Sequence, residues 1–323
     1  MKRIMIIHTG GTISMKENKA TGEVNTDGRH PLQELNDMLG NVAEIEDEVL
    51  FYIPSPHMTP IHMLQLGRRI HEKLASKEID GIVVTHGTDT LEETAYFLDL
   101  FLQTRRPVVM TGAMRSSNEI GADGLYNLLT AIRVATCDEA QDKGVLVVMN
   151  DEIHTAKNVT KTSTSNVATF QSPQYGPIGI TTKRDVFFHH KLSRRDSYPI
   201  QQLSKNVALV KAYAGMDGTM FDALRETDID GLVIEALGQG NLPPATVDSI
   251  KKLLEMNIPI VLVSRCYQGI VQDTYAYEGG GRKLREAGII FANGLTGPKA
   301  RIKLMIALEM TNNPTELAPM FDY

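Results

Sequence analysis

Cysteine is scarce in this sequence. Only Cys137 and Cys266 occur in 323 residues, which excludes a disulfide framework and points to a reducing compartment. Positive charge is not in excess either. Lys and Arg number 33 against 39 Asp and Glu, a formal charge of −6. The basic pairs Lys2-Arg3 and Arg194-Arg195 stand isolated, so the chain carries no electrostatic footprint for nucleic acid. No stretch approaches the roughly 20 apolar residues of a membrane helix, and the apolar run after Lys2-Arg3 is too short for a signal peptide. The expected location is the cytoplasm, without a membrane partner, and the sequon Asn158-Val159-Thr160 is discounted on the same ground. Phosphate-loop signatures are missing too: no G-x-G-x-x-G follows the first strand, and Gly279-Gly280-Gly281 is not followed by Lys-Ser/Thr. The nine histidines lack zinc spacing, since Pro60 separates His57 from His62 without an i, i+4 relation and His189-His190 stands alone. No metal is expected.

What is present is an ordinary globular composition, 42% hydrophobic and 22% charged, in a chain long enough for two domains. Along the first half, apolar strands alternate with helical patterns. Strands are expected at Arg3–His8, Val49–Ile53, Gly81–Thr85, Pro107–Thr111 and Gly144–Met149. Helices are expected at Pro31–Leu39, from Pro60 to near Lys77 with Thr59 as cap, from Thr90 to Leu102 with Thr90 and Glu93 as a capping box, and at Gly124–Ala135. Met15–His30, polar and glycine-bearing, reads as a mobile surface loop. The pattern breaks down between Lys183 and Lys205. A second strand–helix series follows: Val207–Lys211, Thr219–Glu226, Gly231–Glu235, Pro244–Met256, Pro259–Ser264, Ile289–Ala292 and Pro298–Met310. Such alternation calls for parallel pairing with right-handed crossovers. The expected fold is α/β: a larger N-terminal domain with a mainly parallel sheet over 1–185, a linker over 186–206, and a smaller C-terminal α/β domain over 207–323.

In a parallel sheet the ligand crevice lies outside the carboxyl ends of the strands. The unusual polar loops Thr9–Thr12, Ser55, His86–Asp89 and Gly112–Arg115 all follow strands, which brings them to one edge. Thr9-Gly10-Gly11-Thr12 presents hydroxyls from a turn whose glycines let a ligand approach closely; an ordinary strand turn with threonines satisfying backbone groups is the plainer alternative. A neutral hydroxyl such as that of Thr12 needs a base. Thr88, Asp89 and Lys161, the last within a hydroxyl-rich run from Thr160 to Ser165, are of the right types for a proton relay. The lysine would draw the proton from Thr88 while Asp89 orients the lysine. Met5, Met58, Met110, Met114 and Met149 read as core filler, and Cys266 as a buried, inert thiol.

Taken in order, Thr9-Gly10-Gly11-Thr12-Ile13, His86-Gly87-Thr88-Asp89-Thr90 and Glu92-Glu93-Thr94-Ala95 resemble the two signatures of the bacterial-type L-asparaginase family. Gly112-Ala113-Met114-Arg115, Ala122-Asp123-Gly124, Val147–Asp151, Thr160-Lys161-Thr162, Gly238–Asn241 and Pro298–Arg301 extend the resemblance to nearly the whole chain. It implies hydrolysis of L-asparagine to L-aspartate and ammonia through a threonine acyl-enzyme, without metal or cofactor, in a homodimer or homotetramer. It further implies that Thr12 is the first nucleophilic threonine and that Thr88, Lys161 and Asp89 are the second threonine, the lysine and the aspartate. Asp89 would also hold the substrate's α-ammonium and Ser55 its α-carboxylate. Gly11 and the backbone at Ala113 and Thr88 would surround the side-chain amide, and Asn241 would support a neighbouring subunit's site. Three departures, together with the absence of a signal peptide, resemble the cytosolic branch. No tyrosine lies between Ser14 and Leu50, and Pro56 follows Ser55 where secreted relatives often have glutamine. The acidic residue by which a partner chain contacts the substrate in secreted members has only a loose counterpart beside Gly279-Gly280-Gly281. Tyr275 or Tyr277 of a partner subunit could replace the loop tyrosine, and Glu278 could be the partner's acidic contact. A mixed glutaminase-asparaginase is the nearest alternative. An amino-acid-binding regulatory protein without turnover, or a nucleotide-binding α/β protein, is a rival of another class.

Overall fold

The computed structural model describes residues 1–17, 21, 24–26, 42–76, 78–191 and 195–322. The chain divides into two compact units, Met1–Pro199 and Ile200–Tyr323. The expected helix Pro31–Leu39, much of the expected loop Met15–His30, Lys77 and Arg194 lie outside the described residues.

The first unit opens with β1 (Arg3–His8), where Ile4–Ile7 are fully buried. A run buried on both faces shows no alternation, which is why it reads as continuous apolar sequence. β2 (Met15–Glu17) and β3 (Val24–Thr26) form a separate antiparallel ribbon. Then come β4 (Glu44–Val49), β5 (Gly81–Thr85), β6 (Val108–Thr111), β7 (Val145–Met149), β8 (Glu152–Thr155), β9 (Thr160–Lys161), β10 (Phe170–Gln171), β11 (Gly179–Thr181) and β12 (Val186–Phe188). Among the described residues eight strands make one sheet in the order β12-β11-β8-β7-β6-β5-β1-β4. From β7 to β4 the pairing is parallel; from β7 to β12 it is antiparallel. The helices α1 (Pro60–Ala75), α2 (Leu91–Phe101) and α3 (Gly124–Thr136) supply the crossovers. The fold is α/β with a large, mainly parallel sheet.

Three local expectations for the first unit are corrected. The strand expected at Val49–Ile53 lies earlier, at Glu44–Val49, and its sequence Glu-Ile-Glu-Asp-Glu-Val hides it. As the outermost strand it pairs on one side only, and its carboxylates meet basic side chains: Glu48 faces Arg69 and Lys73 (2.6 and 3.2 Å), while Glu44 and Glu46 face Arg3 (3.5 and 3.8 Å). Val49–Ile53 instead bends back, with Leu50, Phe51 and Ile53 donating to the carbonyls of His8 and Thr9. Thr90 stands at the N-cap of α2 without a capping bond, because its hydroxyl donates to the Ser55 carbonyl at 2.9 Å. β12 falls within the stretch 186–206 read as a linker; three residues paired at a sheet edge leave no periodicity to detect. By contrast Thr59 does cap α1, in a capping box with His62.

The second unit carries β13 (Val207–Lys211), β14 (Gly231–Ala236), β15 (Ile260–Ser264) and β16 (Ile290–Phe291) in sequential parallel order. Its helices are α4 (Thr219–Arg225), α5 (Val247–Glu255), α6 (Gly281–Glu286), α7 (Gly297–Met310) and α8 (Pro314–Met320). Pro244–Thr246, expected as the start of α5, forms a 3-10 turn instead. Cys266 is exposed and not buried, since β15 ends at Ser264 and the chain turns outward, the Cys266 N–H donating to Ser264 Oγ. Among the described residues no helix is long and apolar enough to cross a membrane.

Candidate active site

The site is built at the carboxyl ends of the parallel strands, where three loops press backbone against backbone. Thr9 leaves β1 with both its N–H and its hydroxyl donating to the Thr85 carbonyl at the end of β5 (3.1 and 2.9 Å). Gly11 follows with φ +87°, and a Cβ there would lie 2.3 Å from Gly87 Cα. Gly87 in turn lies against Ser55, whose Oγ would be 2.7 Å from a Gly87 Cβ. Only glycine fits at either position, the first for conformation and close approach together, the second for approach alone. Thr12 starts a short 3-10 turn and is half-buried. Its neighbours locate it: Gly11 touches the Gly87 backbone, while Ile13 and Ala113 both lie within 3.2 Å of where a Gly124 Cβ would be.

Ser55, buried after β4, is fastened to the loop after β5 twice. Its Oγ accepts the Asp89 N–H at 3.2 Å and its carbonyl accepts the Thr90 hydroxyl. Lys161 arrives from the other side of the sheet order. It sits on the short strand β9, paired with β10, and the loop beyond is closed by its own hydroxyls, with Thr162 Oγ1 donating to Thr169 O and Thr169 Oγ1 to Ser163 O. From there Nζ donates to Thr88 Oγ1 at 3.0 Å and to Asp89 Oδ1 at 2.6 Å. The Lys161 side chain is only 17% exposed whereas that of Asp89 is 58% exposed. The lysine is therefore committed inward, and the carboxylate keeps an open side. The sequence-predicted Thr12, Ser55, Thr88, Asp89, Ala113 and Lys161 all belong to this one strand-end region of the first unit.

His86 is fully buried beneath it. Its Nδ1 lies 2.7 Å from the Gly87 carbonyl, which only accepts, so the proton sits on Nδ1. Burial pushes its pKa down to about 4, against a smaller opposing effect of that hydrogen bond. The imidazole is neutral near pH 7. Sequence reasoning also passed over Asn127, 3% exposed, which bonds the Gly112 carbonyl and the Asp123 carboxylate. The signal available was Ala122-Asp123-Gly124 with an asparagine one helical turn later.

Asn241, Tyr275, Tyr277 and Glu278 lie in the second unit. Asn241 Oδ1 accepts the Gly281 N–H at 3.3 Å. The rings of Tyr275 and Tyr277 are exposed, with centroids 5.5 Å apart. Glu278 pairs with Lys283 (2.7 Å) and Lys251 (3.6 Å), and the lysine at 283 above all holds its carboxyl below the usual range. Among the described residues no group of three or more His, Cys, Asp or Glu is placed to hold a metal.

The family model for the asparaginase N-terminal domain matches residues 3–194, and that for the glutaminase/asparaginase C-terminal domain matches residues 206–321. The chain belongs to the asparaginase family. It is 38% identical to a probable L-asparaginase of Deinococcus radiodurans over 99% of this chain and 97% of that one. It is 34% identical to L-asparaginase 2 of Bacillus subtilis, over 100% of this chain and 86% of the relative. The crystal structure of a probable cytoplasmic L-asparaginase from Campylobacter jejuni superposes with a TM-score of 0.89 at 34% identity, covering 99% of each chain. For this asparaginase-family protein, every first-unit residue of the expected site lies inside the N-terminal match, and Asn241, Tyr275, Tyr277 and Glu278 lie inside the C-terminal one.

Proposed function

We propose that this protein is an amidohydrolase that converts L-asparagine to L-aspartate and ammonia through an acyl-enzyme on Thr12. The observation that carries the reading is the Lys161 ammonium bridging Thr88 Oγ1 and Asp89 Oδ1 beside the Thr12 loop. Asp89, open on one side, takes the substrate's α-ammonium, and Ser55 takes its α-carboxylate. The side-chain amide then faces Gly11, the Thr88 N–H and the Ala113 backbone.

Thr12 Oγ attacks the amide carbon, its proton passes to the amide nitrogen, and ammonia leaves as the C–N bond breaks. The Thr12 ester is hydrolysed by water, whose proton is drawn through Thr88 towards Lys161; Asp89 keeps the lysine aimed. For this step the lysine must be the acceptor, so as the acyl group forms it gives its own proton to the departing ammonia, which leaves as ammonium. The water oxygen then bonds the acyl carbon, the ester C–O bond breaks, and Thr12 Oγ and Lys161 each take one of the water's two protons. A backbone donor at the oxyanion contributes about 3–4 kcal/mol. Ammonia release from asparagine in the wild type, lost in Thr12→Ala with the fold intact by circular dichroism, is the expected result. Near-normal turnover by Thr12→Ala would remove Thr12 as nucleophile. Thermal stabilisation by asparagine without any ammonia would make the protein a binder.

Glutamine is the second substrate to test, since the matching C-terminal family is named for glutaminases as well. The cytoplasmic location and assembly as a homodimer or homotetramer are part of the same reading. In that assembly Asn241, Tyr275 or Tyr277, and Glu278 serve a neighbouring subunit's site. The ionised state that Lys283 secures for Glu278 suits it to a substrate ammonium.

A further inference from the structure

The loop Gly112–Arg115 is held by two side chains to which neither the family resemblance nor the mechanism above gives a role. Both oxygens of Asp123 lie 3.1 Å from the Met114 N–H, and Oδ1 accepts the Arg115 N–H at 3.0 Å. Asn127 Nδ2 donates to the Gly112 carbonyl at 3.1 Å and to Asp123 Oδ2 at 3.0 Å, while its Oδ1 accepts the Asn150 N–H at 3.1 Å. Asn150 has φ +51°, so the end of β7 is bent into a left-handed conformation to make that bond.

These bonds fall on the two peptide planes that flank Ala113. A peptide is planar and trans, so its N–H and C=O point in opposite directions. Fixing the Met114 N–H towards Asp123 therefore fixes the Ala113 carbonyl away from it. Fixing the Gly112 carbonyl towards Asn127 likewise fixes the Ala113 N–H. Ala113 is 1% exposed, and neither its N–H nor its carbonyl bonds any other described residue. A buried backbone acceptor held at a set angle without a partner is an arrangement kept for a ligand donor.

We infer that Asp123 and Asn127 are positioning residues that aim the Ala113 carbonyl at the leaving amino group of the substrate amide. This rests on the hydrolysis proposed above. The carbonyl can accept from –NH2 and has nothing to offer a carboxylate, so it favours the amide substrate over its acid product. As the carbon becomes tetrahedral the nitrogen gains a proton and its N–H bonds become better donors. The contact therefore strengthens towards the transition state and acts on kcat more than on KM.

The test compares wild type, Asp123→Asn and Asn127→Ala on L-asparagine and on L-aspartate β-methyl ester, whose leaving oxygen carries no N–H. Asp123→Asn puts an NH2 group where three donors converge, which tilts the Ala113 plane. The expected result is a fall of at least 30-fold in kcat for asparagine with KM within threefold. The ester should lose less than fivefold, and the thermal midpoint should stay within a few degrees. Asn127→Ala should show the same amide-selective loss to a smaller degree, and it serves if Asp123→Asn does not fold. Equal losses on amide and ester, or an asparagine kcat within threefold of wild type, would overturn the inference. If the wild type does not turn over the ester, the split decides alone: kcat lowered with KM held supports it, and KM raised with kcat held overturns it. A wild type that releases no ammonia from asparagine would instead overturn the proposed activity.

Discussion

A single lysine does two jobs in the first unit, and its burial shows why it must. Nζ of Lys161 touches both Thr88 and Asp89 while the side chain is mostly shielded from water. Lys161→Met should cut kcat by roughly 10²–10⁴-fold with little change in KM, the range of a general base; an unchanged kcat in steady-state kinetics would remove it from the relay. Gly11→Ala tests the geometry. A methyl group 2.3 Å from Gly87 Cα, on a backbone at φ +87°, has to part the two site loops. Ammonia release should fall by at least 100-fold though none of the side chains proposed to react is altered. His86 sets a pH dependence of stability. Its pKa falls from 6.5 unfolded to about 4 folded because it is buried. In that window the unfolded chain takes up a proton that the folded chain refuses, so stability is full above pH 6.5 and drains away as the pH falls towards 4. The contribution is about 3 kcal/mol, and His86→Gln should flatten it when urea unfolding is compared at the two ends of the window. A variant with the same pH slope as wild type would assign the loss elsewhere.

At the scale of elements, what joins one piece to the next is polar and local. Thr59 and His62 close the N-terminus of α1 reciprocally. Arg195 closes the other end of α2: its guanidinium donates to the Leu102 carbonyl at 2.7 Å and pairs with Asp99 at 3.1 Å. Asp99 is buried, which raises its pKa despite the arginine, and it also accepts the Val145 N–H at 2.9 Å at the start of β7. Arg195→Ala strips the charge partner from a buried carboxylate and the donor from a helix terminus. It should cost on the order of 3 kcal/mol in denaturant unfolding. A loss below 1 kcal/mol would show that the clamp contributes little. The capping residues also show how far local rules reach. Thr59 obeys the capping pattern read from sequence, whereas Thr90, with the same pattern, gives its hydroxyl to Ser55, a residue 35 positions away.

At the scale of the whole molecule the proposal requires more than one chain, because Asn241, Tyr275 or Tyr277 and Glu278 are assigned to a neighbour's site. Specific activity should therefore fall on dilution in step with the mass measured by sedimentation. Full activity from a monomer would withdraw those residues from catalysis.

The sequence by itself determined the strand–helix alternation of both units, since continuous apolar runs such as Ile4–Ile7 and the periodic helices carry their own signal. It marked the candidates for chemistry too: a hydroxyl, lysine or carboxylate at the end of a strand is visible wherever it falls. It could not reveal β4, whose acidic residues suit an outermost strand, nor β12, too short to show a period. Nor could it reveal that Gly11 meets Gly87, that Lys161 bonds two residues more than 70 positions away, or that Asp123 and Asn127 orient the peptide planes around Ala113. Those are contacts between segments remote in the chain, where a few tenths of an ångström decide whether a proton can pass, and only packing fixes such distances.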